Sequence, residues 1–134
     1  MAGYSGTPLA TKLGIKPGAR VCLLAAPAGF EVGGMPDEAE VRTSLRGTRP
    51  LDVVVLFCPD AATLRRRFDA AAARLSTSGG LWIAWPKKAS GVATDLDDAA
   101  VRAFGLAAGL VDNKVCAVDE VWSGLRFVRR LRDR

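Results

Sequence analysis

The chain has 134 residues, 49% hydrophobic and 25% charged, which bounds it to one globular domain (1–134) able to bury a core. Its net charge of +5 is uneven: Arg126–Arg134 carry five Arg and one Asp, so residues 1–125 are close to neutral and lack the broad basic face of a nucleic-acid protein. No apolar run approaches the roughly 20 residues of a membrane helix, and the complete lack of histidine removes Ser-His and Cys-His catalysis and most zinc sites.

The first stretch, 1–18, reads as an irregular arm (1–6) followed by a short helix. Thr7 suits the cap of that helix, Pro8 its first turn and Gly14 its exit. There is no charged start followed by an apolar segment, so the expectation is a cytoplasmic protein. Arg20–Ala26 is apolar without alternation, as a strand buried on both faces of a parallel sheet should be. Residues 27–36 are rich in Gly and Pro and read as loop, and Val41–Leu45 reads as a short edge strand.

Leu51–Cys58 is the strongest strand, with a β-branched run suited to the sheet centre. Pro59 ends it, and Asp60 caps a helix to about Leu75 whose stripe is Leu64, Phe68, Ala71 and Leu75. Arg65, Arg66 and Arg67 read as its solvated face. Ser76–Gly80 reads as a turn into the strand Leu81–Trp85. Thr94 is expected to cap a second helix, with Asp95, Asp97 and Asp98 near its positive end and Leu96, Ala100, Ala103, Phe104 and Ala107 as its apolar face. Gly109 closes it.

Lys114–Val118 and Leu125–Val128 then read as an antiparallel hairpin, turning at Asp119-Glu120 or Ser123-Gly124. Strands alternating with helices imply a parallel core with right-handed crossovers. The expected fold is α/β, a Rossmann-like three-layer sandwich whose mostly parallel sheet is closed by a C-terminal antiparallel hairpin. Cys22, Cys58 and Cys116 fall inside apolar runs, too far apart for a zinc pattern, and read as buried thiols.

Three strands stop at proline: Ala26-Pro27, Cys58-Pro59 and Trp85-Pro86. If all are parallel, the stops share the carboxyl edge, where open α/β sheets bind ligands. Phe30, Asp60, Lys87, Lys88 and Ser90 would lie near it. The candidate ligand-binding set is therefore Trp85, Lys87, Lys88, Ser90, Thr94 and Asp60. The two lysines would neutralise a phosphate, carboxylate or sulfate, and a ring would stack on Trp85 or Trp82. These tryptophans are three apart, so on a strand they point to opposite faces. Asp112, Asn113, Asp119, Glu120 and Trp122 form a second polar-aromatic cluster, in which adjacent Asp119 and Glu120 face opposite ways and make a poor acid–base pair. Salt bridges from Lys114 or Arg126 to Asp119 are the plain structural account of it. No metal site is expected. Residues 25–34 are neither G-x-G-x-x-G nor a Walker loop, so the conventional glycine-rich cofactor loop is missing and the cofactor is left unassigned.

Tyr4–Leu9, Lys12–Gly18, Trp85–Leu96 and Gly109–Arg126 together resemble a family of small, mainly actinobacterial proteins classed as a domain of unknown function. That resemblance covers nearly the whole chain and implies no activity. Leu75–Ile83 and the terminal hairpin resemble a shortened class I S-adenosylmethionine-dependent methyltransferase domain. In such a domain the acidic, glycine-rich cofactor loop would fall at Ala25–Gly29. This chain departs from it there, and shows no helix after the loop and no acidic ribose-binding residue after a second strand. The resemblance implies a Rossmann-like fold and carries over no cofactor residue.

Three functional readings follow. The first is a non-catalytic binding or regulatory module holding an anionic small molecule or a protein partner at the Trp85–Thr94 edge. The second is a degenerate methyltransferase-like domain that still binds S-adenosylmethionine or a nucleotide. The third, which the near-neutral body disfavours, is nucleic-acid association through the Arg-rich end. An exposed Trp122 on a hairpin edge would point to a homodimer.

Overall fold

The computed structural model describes residues 6–134; residues 1–5 of the expected arm lie outside them. In chain order the elements are α1 (Leu9–Leu13), β1 (Arg20–Leu24), β2 (Glu40–Arg42), β3 (Leu51–Phe57), α2 (Ala61–Ala73), β4 (Leu75–Pro86), α3 (Asp98–Ala107), β5 (Leu110–Ala117) and β6 (Trp122–Arg129). Single 3-10 turns at Lys88–Ser90 and Leu131–Asp133 complete them.

The strands form one sheet in the order β2-β1-β3-β4-β6-β5. β2, β1, β3 and β4 are parallel, and β6 runs antiparallel to both β4 and β5. β5 therefore points the same way as β4, and α3 is the crossover that carries the chain over β6 to the far edge. The fold is the expected α/β sandwich.

Alternation along each strand divides the core into two sets. Cys22, Leu24, Val54, Leu56, Leu81, Ile83 and Trp85 pack with Leu64, Phe68 and Ala71 of α2 and Val101 of α3. Val21, Leu23, Val53, Val55, Phe57, Trp82 and Ala84 pack with Ala10 and Leu13 of α1 and with Phe30, Val32 and Met35 of the loop between β1 and β2. One face thus lies under two helices and the other under one short helix and a loop. Leu64, Phe68 and Ala71 of the stripe read from spacing are on the buried face of α2, whereas the helix ends at Ala73 and Leu75 is buried as the first residue of β4. Trp82 and Trp85 do face opposite ways, and both are buried.

α1 is too short to stand alone and is held from outside. Its Ala10 N–H donates to the Gly33 carbonyl at 3.0 Å, and the Trp82 indole N–H donates to the Leu13 carbonyl at 3.0 Å. Gly14 closes it at φ 80°, while its N-cap position is Pro8, one residue later than expected.

Three other local expectations are corrected. Ser76–Gly80 is not a turn but the bulged start of β4: Leu51 pairs with Leu75, yet Val53 pairs with Gly80. The extra residues fit because a Cβ on Gly79 would sit 2.9 Å from the Leu51 carbonyl oxygen. Thr94 does not cap α3; Asp97 does, accepting from the Ala100 N–H at 2.8 Å. The buried positions of α3 are Val101 and Gly105, with Phe104 half-buried, while Ala100, Ala103 and Ala107 are exposed. At Gly105 the helix rides so close to the sheet that a Cβ would overlap the Phe127 ring.

Candidate functional site

The parallel strands β1, β3 and β4 end at one edge, as the proline stops suggested. β1 gives way to Ala25, whose φ of 61° is the left-handed region that a residue with a side chain rarely adopts. The loop then turns through a Phe30 N–H to Pro27 carbonyl bond of 3.1 Å and lays Phe30 against Phe57 (ring centroids 4.9 Å). Trp122 meets Phe57 from the hairpin at 5.1 Å. This aromatic group closes the α1 side of the edge.

On the α2 side the backbone is laced by side chains. Asp60 caps α2, its carboxylate accepting from the Thr63 N–H at 2.8 Å and the Thr63 hydroxyl at 2.7 Å. Those two bonds, the backbone one foremost, hold the Asp60 carboxyl below the usual carboxylate range. Asp95 reaches back to accept from the Ala61 N–H at 2.8 Å. Thr94 donates its hydroxyl to the Pro59 carbonyl at 2.8 Å and accepts from the Leu96 N–H at 3.1 Å. Two donors at the start of α2, the Ala61 and Thr63 N–H groups, are therefore engaged by the chain's own carboxylates, and Asp97 engages the Ala100 N–H of α3.

The lysine segment is anchored at both ends. The Lys87 N–H donates to the Val121 carbonyl at 2.8 Å, tying the end of β4 to the hairpin turn. Ser90 donates to the Lys87 carbonyl at 2.7 Å and accepts from the Val92 N–H at 3.1 Å. Neither Lys87 nor Lys88 has a carboxylate within salt-bridge distance among the described residues. Trp85 is buried at 5% exposure, with its ring in the core on the α2 face.

The second cluster does not come together. Asp112 sits near the start of β5, paired with Arg102 at 3.0 Å, and Asn113 accepts from Arg126 at 3.3 Å. Asp119 lies seven residues on, about 23 Å along an extended strand. It makes no salt bridge to Lys114 or Arg126; it accepts from the Val121 and Trp122 N–H groups at 2.8 Å each and so builds the hairpin turn. Glu120 is exposed in that turn, and Trp122 is half-buried on Phe57. Of this cluster only Asp119, Glu120 and Trp122 share the carboxyl edge with Lys87.

Burial pushes the Cys58 thiol up to about 12, and burial also raises Cys22 and Cys116. No group of His, Cys, Asp and Glu suited to a metal occurs among the described residues. The Arg-rich end is folded back. Arg129 donates to the Ala72 and Leu75 carbonyls at 3.3 and 3.0 Å, Arg130 to the Leu106 carbonyl at 3.5 Å, and Arg134 to the Arg129 carbonyl at 2.9 Å.

Sequence reasoning missed the loop at 43–50. Arg74 donates to the Leu45 carbonyl and, at 2.6 Å, to the Arg49 carbonyl, pinning that loop against the sheet. The only local signal was the spacing of Arg42, Arg46 and Arg49.

No family model matches the chain, and no curated protein matches it. Solved structures do. A TehB-like SAM-dependent methyltransferase from Corynebacterium glutamicum superposes with a TM-score of 0.61 at 12% identity, over 96% of this chain and 91% of that one. Magnesium protoporphyrin IX methyltransferase from Synechocystis, solved with SAH bound, superposes at 0.55 with 13% identity, over 85% of this chain and 75% of that one. The same enzyme with SAM bound gives 0.56 at 12% identity, over 85% and 71%. The chain has the fold of the class I methyltransferases. No helix among the described residues is long and apolar enough to cross a membrane.

Proposed function

We propose that the protein is a methyltransferase-fold domain that works as a binding or regulatory module, taking an anionic small molecule at the carboxyl edge around Trp85–Thr94. The observation that carries this reading is Lys87 and Lys88: two ammonium groups without a carboxylate partner, on a backbone fixed to Val121 and braced by Ser90. Open α/β sheets take ligands at this edge. Because the α2 and α3 N-termini already hold Asp60, Asp95 and Asp97, the lysines are the cationic groups this edge can offer an incoming anion.

The second reading, retained binding of S-adenosylmethionine or a nucleotide, is favoured by fold neighbours solved with SAM or SAH. The residues present do not fit the conventional donor set. The loop after β1 is turn and coil up to β2, with no helix N-terminus behind Ala25–Gly29. β2 ends in Arg42 rather than an acidic residue.

A thermal-shift and calorimetry panel of S-adenosylmethionine, its demethylated product, nucleotides, coenzyme A esters and simple polyanions separates these readings. A binder at a hundredfold excess over its Kd adds about 2.7 kcal/mol of stability. A shift lost in Lys87→Ala/Lys88→Ala supports the lysine edge. S-adenosylmethionine binding unchanged in that variant supports the second reading. A flat panel moves the weight to a protein partner docked on the same edge.

A further inference from the structure

The opposite end of the sheet carries a second polar site. A pocket of about 310 Å³ opens beside the sheet edge, lined by Arg20, Glu40, Val41, Arg42 and Arg49. Arg20 and Glu40 are the first residues of β1 and β2 and pair across the two strands, so the pocket lies towards the amino-terminal ends, away from Lys87. The Arg20 guanidinium is spoken for by Glu40 at 3.1 Å, and the Arg20 backbone N–H donates to Asp52 at 2.9 Å.

Arg42 is not. It lies two residues after Glu40 and so faces the same side. Its guanidinium lies beneath the 43–50 loop, where a Cβ on Gly47 would come within 3.8 Å of it. Its Nε–H is buried without an acceptor, and no hydrogen bond or ion pair satisfies the rest of the group among the described residues. A buried charged donor left unmet is costly, and native structures rarely leave one without a partner. Arg49, whose carbonyl is fixed by Arg74, offers a second unpaired guanidinium at the rim. The field of this corner reaches Cys22, whose thiol is raised by burial and drawn back by Arg42 and Arg74.

We propose that this pocket binds the phosphate group of a small phosphomonoester, held by the guanidinium groups of Arg42 and Arg49. With Glu40 compensating Arg20, the lining carries a net charge of about +2, against the roughly −1.5 to −2 that a phosphomonoester bears at pH 7. Arginine presents a planar fork that matches phosphate oxygens bidentately. The volume sits at the small end of the range for ligand sites, about 300–1,000 Å³. Glu40 in the wall disfavours a continuous polyanion such as a nucleic-acid strand.

The test follows the Arg42 Nε–H resonance of the full chain by nitrogen-15 NMR during titration with inorganic phosphate and phenyl phosphate, with chloride at matched ionic strength and a short single-stranded oligonucleotide as comparisons. The expected result is a saturable shift with both phosphates and none with chloride. Arg42→Gln, which lacks that resonance and is read instead by calorimetry, weakens the affinity at least tenfold and the exposed Arg49→Ala severalfold, whereas Lys87→Ala/Lys88→Ala leaves it within twofold. The last arm keeps this site distinct from the lysine edge. A shift reproduced by chloride, unchanged affinity in Arg49→Ala, or an oligonucleotide that binds more than tenfold tighter per phosphate than phenyl phosphate overturns the proposal.

Discussion

The two ends of the sheet treat their polar groups in opposite ways. At the carboxyl edge the chain satisfies itself: Asp60 and Asp95 take donors at the start of α2, Asp97 caps α3, and Thr94 and Ser90 close the loops between them. At the β1–β2 end the buried Nε–H donors of Arg42 and Arg74 are left without an acceptor, and the loop above is held by Arg74, by the Cys22 thiol on the Ser44 carbonyl and by Leu45 packed on the core. Unmet polar groups therefore mark the less obvious end, not the one that fold convention points to. Where the carboxyl edge is open, it is open through half-buried Lys87 and exposed Lys88, neither of which has a carboxylate partner among the described residues.

Four variants sharpen this contrast. The largest effect is expected at Phe57, fully buried between Phe30 and Trp122. Phe57→Ala should cost about 3–5 kcal/mol in a denaturant titration, because it removes the packing that closes the α1 side of the carboxyl edge. Arg74→Ala should cost about 2 kcal/mol, in the range for hydrogen bonds from a charged donor. It should also raise amide exchange in 43–50 while leaving 87–95 unchanged. Equal protection at 43–50 in that variant would mean that the loop is held by something other than Arg74.

The third test is a pH dependence. The Asp60 carboxyl is held below its ordinary value by Thr63, so its unfolded-state pKa is the higher of the two. The unfolded chain then binds the proton more readily as pH drops, and the stabilisation by Asp60 is present above the ordinary carboxylate value and lost as pH falls through the folded one. The difference in unfolding midpoint between the parent and Asp60→Asn should accordingly be widest near neutrality and shrink below about pH 4. A gap that stays constant with pH would sink the assignment of Asp60 as an ionised cap. The smallest effect is Lys87→Ala/Lys88→Ala, expected within about 0.5 kcal/mol of the parent in stability because the lysines have no partner to lose.

The readable parts of the fold were those with a local cause. Leu51–Phe57 is a β-branched run, Asp60 stands three residues before the Thr63 N–H it caps, and Leu64, Phe68 and Ala71 recur at helical spacing. Asp119-Glu120 was one of two turns that composition allowed. The misread parts had several local candidates or none. Thr94, Asp95 and Asp97 all suit a helix start; Asp97 wins because the other two are drawn across to Pro59 and Ala61, more than thirty residues away in sequence. Ser76–Gly80 has the composition of a turn, but pairing with β3 and the missing side chain of Gly79 fold it into a bulge. The 43–50 loop has no apolar period, since Arg74 holds it by bonds to carbonyls. At the candidate site, sequence order placed Lys87, Lys88 and Ser90 together. It could not reveal that Asp112 and Asn113 belong to the other end of β5.

The hydrogen bond from Trp82 to Leu13 has an optical consequence. All three tryptophans of the chain lie on β4 and β6, two of them sealed in the core and Trp122 beside the end of β4. Ultraviolet emission is thus a gauge of the sheet centre, and Trp82 makes it register the detachment of α1. Arg42 lies on β2, with β1 and β3 between it and the nearest tryptophan strand, so an emission change on adding a ligand points to the β4–β6 side of the sheet.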